Sequence, residues 1–523
     1  MRTFFSKIGY YLSAGVYFGK DPANVSCRSF IFFPCRKNVL CCGLAGIVSF
    51  KKEKKKSQAA DITPIEDSIG KIEDHTFNLC IKNNFPIHDN YLCGGEIIRA
   101  LLESAGELKR DEPFFEIFIN NKLQENLAAL SERINRIIDS ESKILSGQMG
   151  RLEPSDVEVM SNRIEDLKDI AWLLKNEIGQ NIIRIKELLG LSGNNPSFST
   201  LALYKKINAV LNSIDRLEVR GRDSAGISMI FVLDASEYGS FEKIIGEENL
   251  TGILKDRSSS DILLNGGITI GKRTGKNGKP LVTAAFVYKI AAEIGSLGDN
   301  IAFLRKQIQA DRIFGILASF PCCYNTVSSH TRWASVGAIT EANCHPVDGS
   351  GKGENGIIHV CLNGDIDNYI ELKKEYESGG NFIHSEISTD TKIIPLQIEK
   401  YLGSGFDVEE SFRLAVNDFE GSHAISMHTD LDPGRIFLAQ RGSGQAIFIG
   451  IGKDHFIPAS EVYGFIEETP YYLKLEGDKA NGGNNGNTRG QIYILSQESQ
   501  GGLSGIKAIS YDGTHVLIEE KDI

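Results

Sequence analysis

Two long segments in the first half of the chain carry apolar residues at helical spacing. One set is Leu123, Leu127, Leu130, Ile134, Ile137 and Ile138, and the other is Ile164, Leu167, Ile170, Leu173 and Leu174. Apolar residues that recur every three or four positions form one face of an α-helix. The spacing therefore predicts a helical hairpin or small bundle. We assign it to an inserted helical region over 51–199, in which the apolar stripes are packing faces.

Short apolar runs bounded by turn residues predominate in the rest of the chain. They predict strands over 41–50, 227–233, 327–335, 357–362, 423–429, 435–440, 446–452 and 471–475, and helices over 201–217, 291–310, 369–378, 391–402 and 408–418. Strands and helices do not alternate strictly, which favours an α+β fold with layered antiparallel sheets. We interpret 479–523, Gly/Asn-rich at its start, as a linker and the beginning of a C-terminal segment.

The amino-acid composition excludes several classes of protein, but it does not indicate which kind of enzyme the chain is. The chain has 523 residues, of which 41% are apolar and 24% charged, as in globular proteins. The net charge of -11 and the lack of a clustered basic face argue against a nucleic-acid partner. No apolar stretch reaches the roughly 18 residues that span a bilayer. Ten scattered cysteines without C-x-x-C spacing predict reduced thiols in a cytoplasmic protein and no structural zinc site.

The first 41 residues form a segment unlike the rest, rich in Phe, Tyr, Lys and Arg. Its apolar pieces are interrupted by charges, so it does not resemble a secretory signal. We interpret it as a leader that is removed before Cys42. Cleavage there would give Cys42 a free α-amine, which titrates near pH 8 and can deprotonate its own thiol. The alternative is that Cys42 is simply a small apolar residue at the start of a buried strand.

Several motifs, in a fixed order, resemble the class II glutamine amidotransferases, and among these the glutaminase half of glutamine-fructose-6-phosphate aminotransferase. They are Cys42-Gly43-Leu44-Ala45-Gly46-Ile47-Val48, Leu217 to Gly226 (LEVRGRDSAG), His330-Thr331-Arg332-Trp333-Ala334-Ser335, Asn343-Cys344-His345-Pro346, Leu362 to Asn368 (LNGDIDN) and Thr389-Asp390-Thr391. The resemblance covers 42–50 and 200–478, which we assign to a glutamine amidotransferase domain. The amidotransferase half of the related enzyme of purine biosynthesis has different residues at two of these motifs, the His-Thr-Arg-Trp motif and the Arg-Gly-x-Asp-Ser-Ala-Gly motif.

The resemblance implies a substrate site for L-glutamine. The arginine of the His-Thr-Arg-Trp motif, here Arg332 beside Trp333, would hold the carboxylate, since a planar guanidinium can bind both oxygens. Asp390 would hold the α-ammonium, and Ser335 stands where the family usually has Thr. Two departures concern this pocket: Val336 replaces a usual His, and two extra residues precede Thr389.

The resemblance also implies the catalytic groups. Cys42 is the expected nucleophile, and the Asn363 side chain with the Gly364 N–H is the expected oxyanion site. Arg220 and Asp223 are expected to form a supporting ion pair. Taken one at a time, an Asn-Gly pair is most often a turn and a lone Arg a surface residue. The order of the motifs is what favours the functional interpretation.

The same resemblance implies a fold and a reaction. The fold would be the N-terminal-nucleophile hydrolase sandwich, four layers in the order αββα, without a metal or organic cofactor. The enzyme would release ammonia from glutamine for amino-sugar (glucosamine 6-phosphate) synthesis, with a sugar-phosphate isomerase half or subunit that this chain does not contain. The rival hypothesis is a catalytically silent regulatory or interaction module that retains its leader. A homo-oligomer is left open.

Overall fold

The computed structural model describes residues 42–51, 60–190, 195–275, 277–292, 296–350, 356–478 and 490–523. The leader predicted over 1–41 and most of the Gly/Asn-rich linker lie outside these residues. The chain divides into two compact units. The smaller contains 61–109 and 122–177, and the larger contains the described parts of 40–60, 110–121 and 178–523.

The helices and strands are numbered in chain order. The helices are α1 Thr63–Glu73, α2 Phe77–Lys82, α3 Ile87–Asn90, α4 Gly94–Glu107, α5 Asp111–Ile119, α6 Asn121–Gln148, α7 Pro154–Trp172, α8 Asn181–Leu189, α9 Phe198–Leu217, α10 Ala235–Glu247, α11 Thr251–Arg257, α12 Asp299–Ala310, α13 Arg312–Leu317, α14 Tyr369–Ser378, α15 Ile393–Gly403 and α16 Val408–Asp418. The strands are β1 Gly43–Ser49, β2 Ser224–Asp234, β3 Ile268–Thr274, β4 Pro280–Ala291, β5 Tyr324–Arg332, β6 Val347–Asp348, β7 Ile358–Gly364, β8 His423–Thr429, β9 Arg435–Arg441, β10 Phe448–Ile451, β11 His455–Ala459, β12 Tyr472–Lys474, β13 Gln491–Ser496 and β14 Ile506–Ser510.

The smaller unit is helical, and its apolar stripes are buried as the sequence pattern predicts. Leu130 and Ile134 on α6 and Ile164 and Leu167 on α7 are each at most 3% exposed. The two helices are joined through the short segment before Pro154, which begins α7 because proline suits the first helical turn. Parts of the predicted insertion, 110–121 and 178–199, group instead with the larger unit.

The larger unit contains two antiparallel sheets. In the described part of the chain, eight strands form the first sheet in the order β12-β10-β11-β1-β5-β2-β4-β3, and six form the second in the order β14-β13-β9-β8-β7-β6. Strand β2 lies inside the first sheet, and all of its residues except the last are buried. Strands β13 and β14 pair with each other, and β13 pairs with β9. The second sheet therefore continues beyond residue 478, into the region that the sequence analysis treats as a linker and connecting segment.

The sheets face each other, and helices cover their outer sides. Val48 and Phe456 of the first sheet share one apolar core with Leu438 of the second. Helix α9 contacts β1 and β5 on the opposite side of the first sheet. Phe412 of α16 packs with Phe437 of the second sheet in a separate core. The order helix, sheet, sheet, helix agrees with the predicted αββα arrangement and with the α+β class.

One region differs from the prediction. Residues 268–291 form a hairpin, β3 and β4, and helix α12 begins only at Asp299, whereas the sequence pattern predicts a helix from 291. Strand β4 is mostly apolar but includes Thr283 and Lys289, and its sequence alone does not distinguish a buried strand from a buried helix. In the structure its partners β2 and β3 on either side make it a strand.

Two further observations bear on the predictions from composition. Within the residues that the structure describes, no helix combines the length and apolar character needed to cross a membrane. The cysteines that the structure describes are not joined in disulfides.

Candidate active site

Cys42 lies immediately before β1, which runs between β11 and β5 in the first sheet. Its Sγ accepts a hydrogen bond from Trp333 N–H at 3.2 Å and lies 3.5 Å from Trp333 O, to which the thiol donates. The next residue, Gly43, lies where the packing leaves no room for a side chain. A Cβ there would be 2.5 Å from Thr331 Oγ1 and 2.6 Å from Leu217 Cβ. Close packing of β1 against α9 and β5 therefore determines where the thiol lies.

Asn363 and Gly364 form the end of β7. The Asn363 side chain is buried, and its Nδ2 donates to the backbone oxygen of Cys42 at 3.0 Å. Gly364 has φ +93°, and a Cβ there would be 2.2 Å from Ser422 O. Only glycine fits such a backbone. The pair thus ends a buried strand, and it places a neutral amide donor beside the residue that bears the thiol.

Arg332 ends β5 and is 3% exposed. Its guanidinium donates to Ala338 O at 3.3 Å and to Val336 O, so the loop after the strand folds back over it. In the same loop, Ser335 Oγ donates to Asp365 Oδ1 at 2.5 Å. A guanidinium has five N–H donors, so these contacts leave donors for a carboxylate ligand.

Asp390 is 4% exposed and begins a short 3₁₀ turn, Asp390–Lys392, that leads into α15. Its Oδ2 accepts from Ile366 N–H at 2.8 Å, and its Oδ1 accepts from Thr391 N–H at 2.9 Å. Burial raises the pKa of this carboxyl, and the hydrogen bond from Ile366 opposes the shift. Ile366 lies two residues after Gly364, so the backbone itself links the carboxylate to the Asn-Gly pair.

Asn343 holds the loop that carries Thr389, including the two extra residues before it. Its Oδ1 accepts from Ser388 N–H at 2.7 Å and from Thr389 N–H at 3.0 Å, and its Nδ2 donates to Glu386 O at 3.1 Å. Asn343 belongs to one of the motifs above, from which no role is predicted for it. Nothing in the local sequence indicates these contacts, because the partners lie more than 40 positions away.

The ion pair predicted between Arg220 and Asp223 is not formed. Arg220 pairs with Glu461, and Asp223 Oδ2 instead accepts from Ala334 N–H at 2.8 Å. Between them, Gly221 lies against the Arg332 backbone, where a Cβ would be 2.7 Å from the carbonyl carbon. Asp223 thus supports the loop after β5, while Arg220 contributes a separate ion pair.

Two buried histidines at the site have no role in the sequence analysis. His330 Nε2 is 2.9 Å from Asn363 Oδ1, and the ring of His345 lies 4.4 Å from that of His330. Burial lowers the pKa of His330 to about 3 and that of His345 well below 6.5, so both rings are neutral. His345 Nε2 is 2.8 Å from Thr391 Oγ1. Both histidines belong to the motifs quoted for the resemblance, which is the signal that draws attention to them.

Most of the predicted site residues are thereby connected. Direct hydrogen bonds join Cys42 to Asn363 and to Trp333, whose side chain is 38% exposed. Arg332 adjoins Trp333, and Asp390 is held through Ile366. Among the residues described, no three His, Cys, Asp or Glu side chains cluster closely enough to hold a metal ion. Chemically, the arrangement offers a thiol, an amide donor, a guanidinium and a carboxylate.

No family model matches the chain, whereas individual proteins do. A glutamine–fructose-6-phosphate aminotransferase (isomerizing) of Methanothermobacter thermautotrophicus is 36% identical over 148 residues, 28% of this chain and 24% of that protein. The protein of the same name from Streptococcus mutans is 30% identical over 231 residues, 43% of this chain and 34% of that protein. The one from Streptococcus pyogenes is 27% identical over 268 residues, 51% of this chain and 38% of that protein. The chain therefore spans about a quarter to two fifths of the length of these relatives.

Among solved structures, one described as the allosteric regulatory enzyme of purine biosynthesis covers 55% of this chain and 49% of that chain. The identity is 16% and the TM-score 0.32, and a similarity this low supports no conclusion about the chain.

Proposed function

Since this chain is similar, over part of its length, to proteins named glutamine–fructose-6-phosphate aminotransferase, we propose that it hydrolyses the side-chain amide of L-glutamine, with Cys42 as the nucleophile. The observation that carries the proposal is the pair of hydrogen bonds at Cys42. Trp333 N–H donates to the thiol sulfur, and the Asn363 amide donates to the carbonyl oxygen of the same residue. A nucleophile and a donor for developing negative charge thus lie together at one buried position.

Substrate binding rests on two charged groups. The Arg332 guanidinium would hold the α-carboxylate, and the Asp390 carboxylate would hold the α-ammonium. Both side chains are almost fully buried, so each would interact with the substrate at a lower effective dielectric constant than in water. A zwitterionic amino acid matches this pair in charge. Trp333 and Ser335 complete the loop beside Arg332.

The reaction proceeds in two halves. Once residues 1–41 are removed, the α-amine of Cys42 takes the thiol proton, and the thiolate attacks the amide carbon. The Asn363 amide and the Gly364 N–H stabilise the tetrahedral oxyanion. As the oxyanion collapses to the thioester and the carbon–nitrogen bond breaks, the Cys42 ammonium gives its proton to the departing NH₂ group, which leaves as ammonia. Water then attacks the thioester, glutamate leaves, and the thiol and amine are restored.

We extend the proposal to the fate of the ammonia. The relatives are named for transfer to fructose 6-phosphate, so we propose that this chain supplies ammonia for amino-sugar synthesis. A sugar-phosphate isomerase domain, in the same or a separate polypeptide, would be the partner that receives it. Ammonia-dependent formation of glucosamine 6-phosphate by such a partner, measured with and without glutamine and this chain, tests this step.

The first experiment is intact-mass measurement of the purified protein together with an assay of glutamate release. We expect a chain that begins at Cys42 and an activity that Cys42→Ala abolishes. Cys322→Ala is the matched control, because burial raises the pKa of that thiol to about 12 and it lies outside the site. Equal activity of wild type and Cys42→Ala would exclude Cys42 as the nucleophile. An uncleaved, inactive chain would favour the silent regulatory module.

A further inference from the structure

We propose that His330 is a positioning residue that orients the side-chain amide of Asn363. This inference rests on the proposed function, because it concerns the oxyanion site of that reaction. His330 lies on β5 and Asn363 on β7, so the contact joins the two sheets. Both side chains are buried, with His330 0% and Asn363 1% exposed. The His330 Nε2 to Asn363 Oδ1 distance is 2.9 Å.

The partners of the amide determine which way it points. A backbone carbonyl oxygen can only accept a hydrogen bond, so the group that faces Cys42 O at 3.0 Å must be the Asn363 NH₂. The amide oxygen then faces His330, and it too can only accept. His330 must therefore carry its hydrogen on Nε2. The two contacts reinforce each other, since each requires the same orientation of Asn363.

The protonation state of the ring agrees with this arrangement. Burial, with a smaller contribution from the nearby Arg332, lowers the pKa of His330 to about 3 although the hydrogen bond to Asn363 opposes the shift, so the imidazole is neutral at physiological pH. A neutral imidazole has one donor, which here is used on Asn363. The neighbouring His345 is also neutral, because burial lowers its pKa and the adjacent His330 ring adds to the shift. The Asn363 amide oxygen thus accepts from a single buried donor, the His330 Nε2–H, which does not titrate near physiological pH.

The orientation matters for the chemistry. The NH₂ group has two hydrogens, of which one is bonded to Cys42 O and the other is available to the developing oxyanion. An inverted amide would point its oxygen at that negative charge and would repel it. His330 would therefore act on the transition state through Asn363, without touching glutamine. Its loss should lower kcat and leave KM nearly unchanged, since the interaction is made in the transition state.

The test compares His330→Gln with His330→Leu. Glutamine can donate from its side-chain amide to Asn363 Oδ1, whereas leucine has similar bulk and no donor. We expect His330→Leu to lose at least about tenfold in kcat, with the loss of about 10² to 10³ that follows removal of an oxyanion donor as the upper bound. Its KM for glutamine should stay within about twofold. His330→Gln should retain most of the activity. Equal kcat in all three proteins, equal losses in both variants, or a change in KM alone would overturn the proposal.

A second measurement does not depend on activity. In wild-type protein labelled with ¹⁵N-histidine, the His330 resonances can be identified by their absence from His330→Gln. We expect the chemical shifts of a neutral ring with its proton on Nε2, constant between about pH 5.5 and 8. An imidazolium or a proton on Nδ1 would overturn the proposal, even if His330→Leu failed to fold. A wild type that shows the expected tautomer but releases no glutamate would refute the proposed function and leave the positioning geometry intact.

Discussion

The substitution Gly43→Ala tests whether the packing of β1 places the nucleophile. The new Cβ would lie 2.6 Å from the Cβ of Leu217, an atom that cannot rotate away because it is attached to the α9 backbone. Carbon atoms in contact are separated by about 3.5 to 4.0 Å, so β1 and α9 must move apart by about 1 Å. Overpacking of this kind typically costs about 1 to 3 kcal/mol of stability.

The shift would also displace Cys42, which directly precedes Gly43. A displacement of about 1 Å can lower the rate of a positioned reaction by about 100-fold. We therefore expect Gly43→Ala to reduce kcat for glutamate release by about that factor, with the loss of stability given above. Urea unfolding followed by the fluorescence of Trp333, in a Trp172→Phe background, measures the stability of the unit that contains the site.

Gly239→Ala is the matched control, because this glycine lies within helix α10 and a Cβ there would have no atom within 4 Å. Replacing an exposed helical glycine by alanine should stabilise the protein by about 0.5 to 1 kcal/mol and leave kcat unchanged. If Gly43→Ala unfolded at the same urea concentration as wild type and kept its kcat within about threefold, the reasoning from packing would be refuted.

Three further predictions concern stability and pH. Burial opposes the charged form of His455, but two neighbouring carboxylates outweigh this effect and raise its pKa above 6.5. The protonated ring should therefore stabilise the folded state below pH 6.5, and this contribution should be lost as the pH rises through the pKa of His455 in the folded protein. Urea titrations of wild type and His455→Gln over pH 5 to 9 should show the gap in unfolding free energy close with rising pH, and a gap that widens would contradict this. Phe412→Ala should lower the free energy of unfolding by about 3 to 5 kcal/mol, because Phe412 is fully buried. Phe382→Ala, at a residue that is 74% exposed, should change the free energy of unfolding in urea by less than about 0.5 kcal/mol. Equal effects of the two substitutions would contradict the prediction. Because burial raises the pKa of Asp390, binding of glutamine to the inactive Cys42→Ala protein should weaken on acidification with an apparent pKa above 3.8. Calorimetric binding that weakens only at or below that value would exclude Asp390 as the ammonium ligand.

The sequence by itself determined features that depend on local spacing. Helical periodicity identified the buried faces of α6 and α7, since apolar residues three or four positions apart must share one side of a helix. Contiguous motifs predicted Cys42, Arg332 and Asn363 as candidate site residues, because residues that are adjacent in the sequence can be recognised together without knowledge of the fold. The αββα layers followed from resemblance, and the structure has them.

Only the tertiary structure decided which distant residues meet. It pairs Arg220 with Glu461, 241 positions away, and it sets His330 against Asn363, 33 positions away. It also makes 280–291 a strand by supplying partners on both sides. The physical reason is the same in each case. Pairing of strands within each sheet, and packing of one sheet on the other, bring together side chains whose separation along the chain has no regular period, so their contact is determined by the packing of the whole unit.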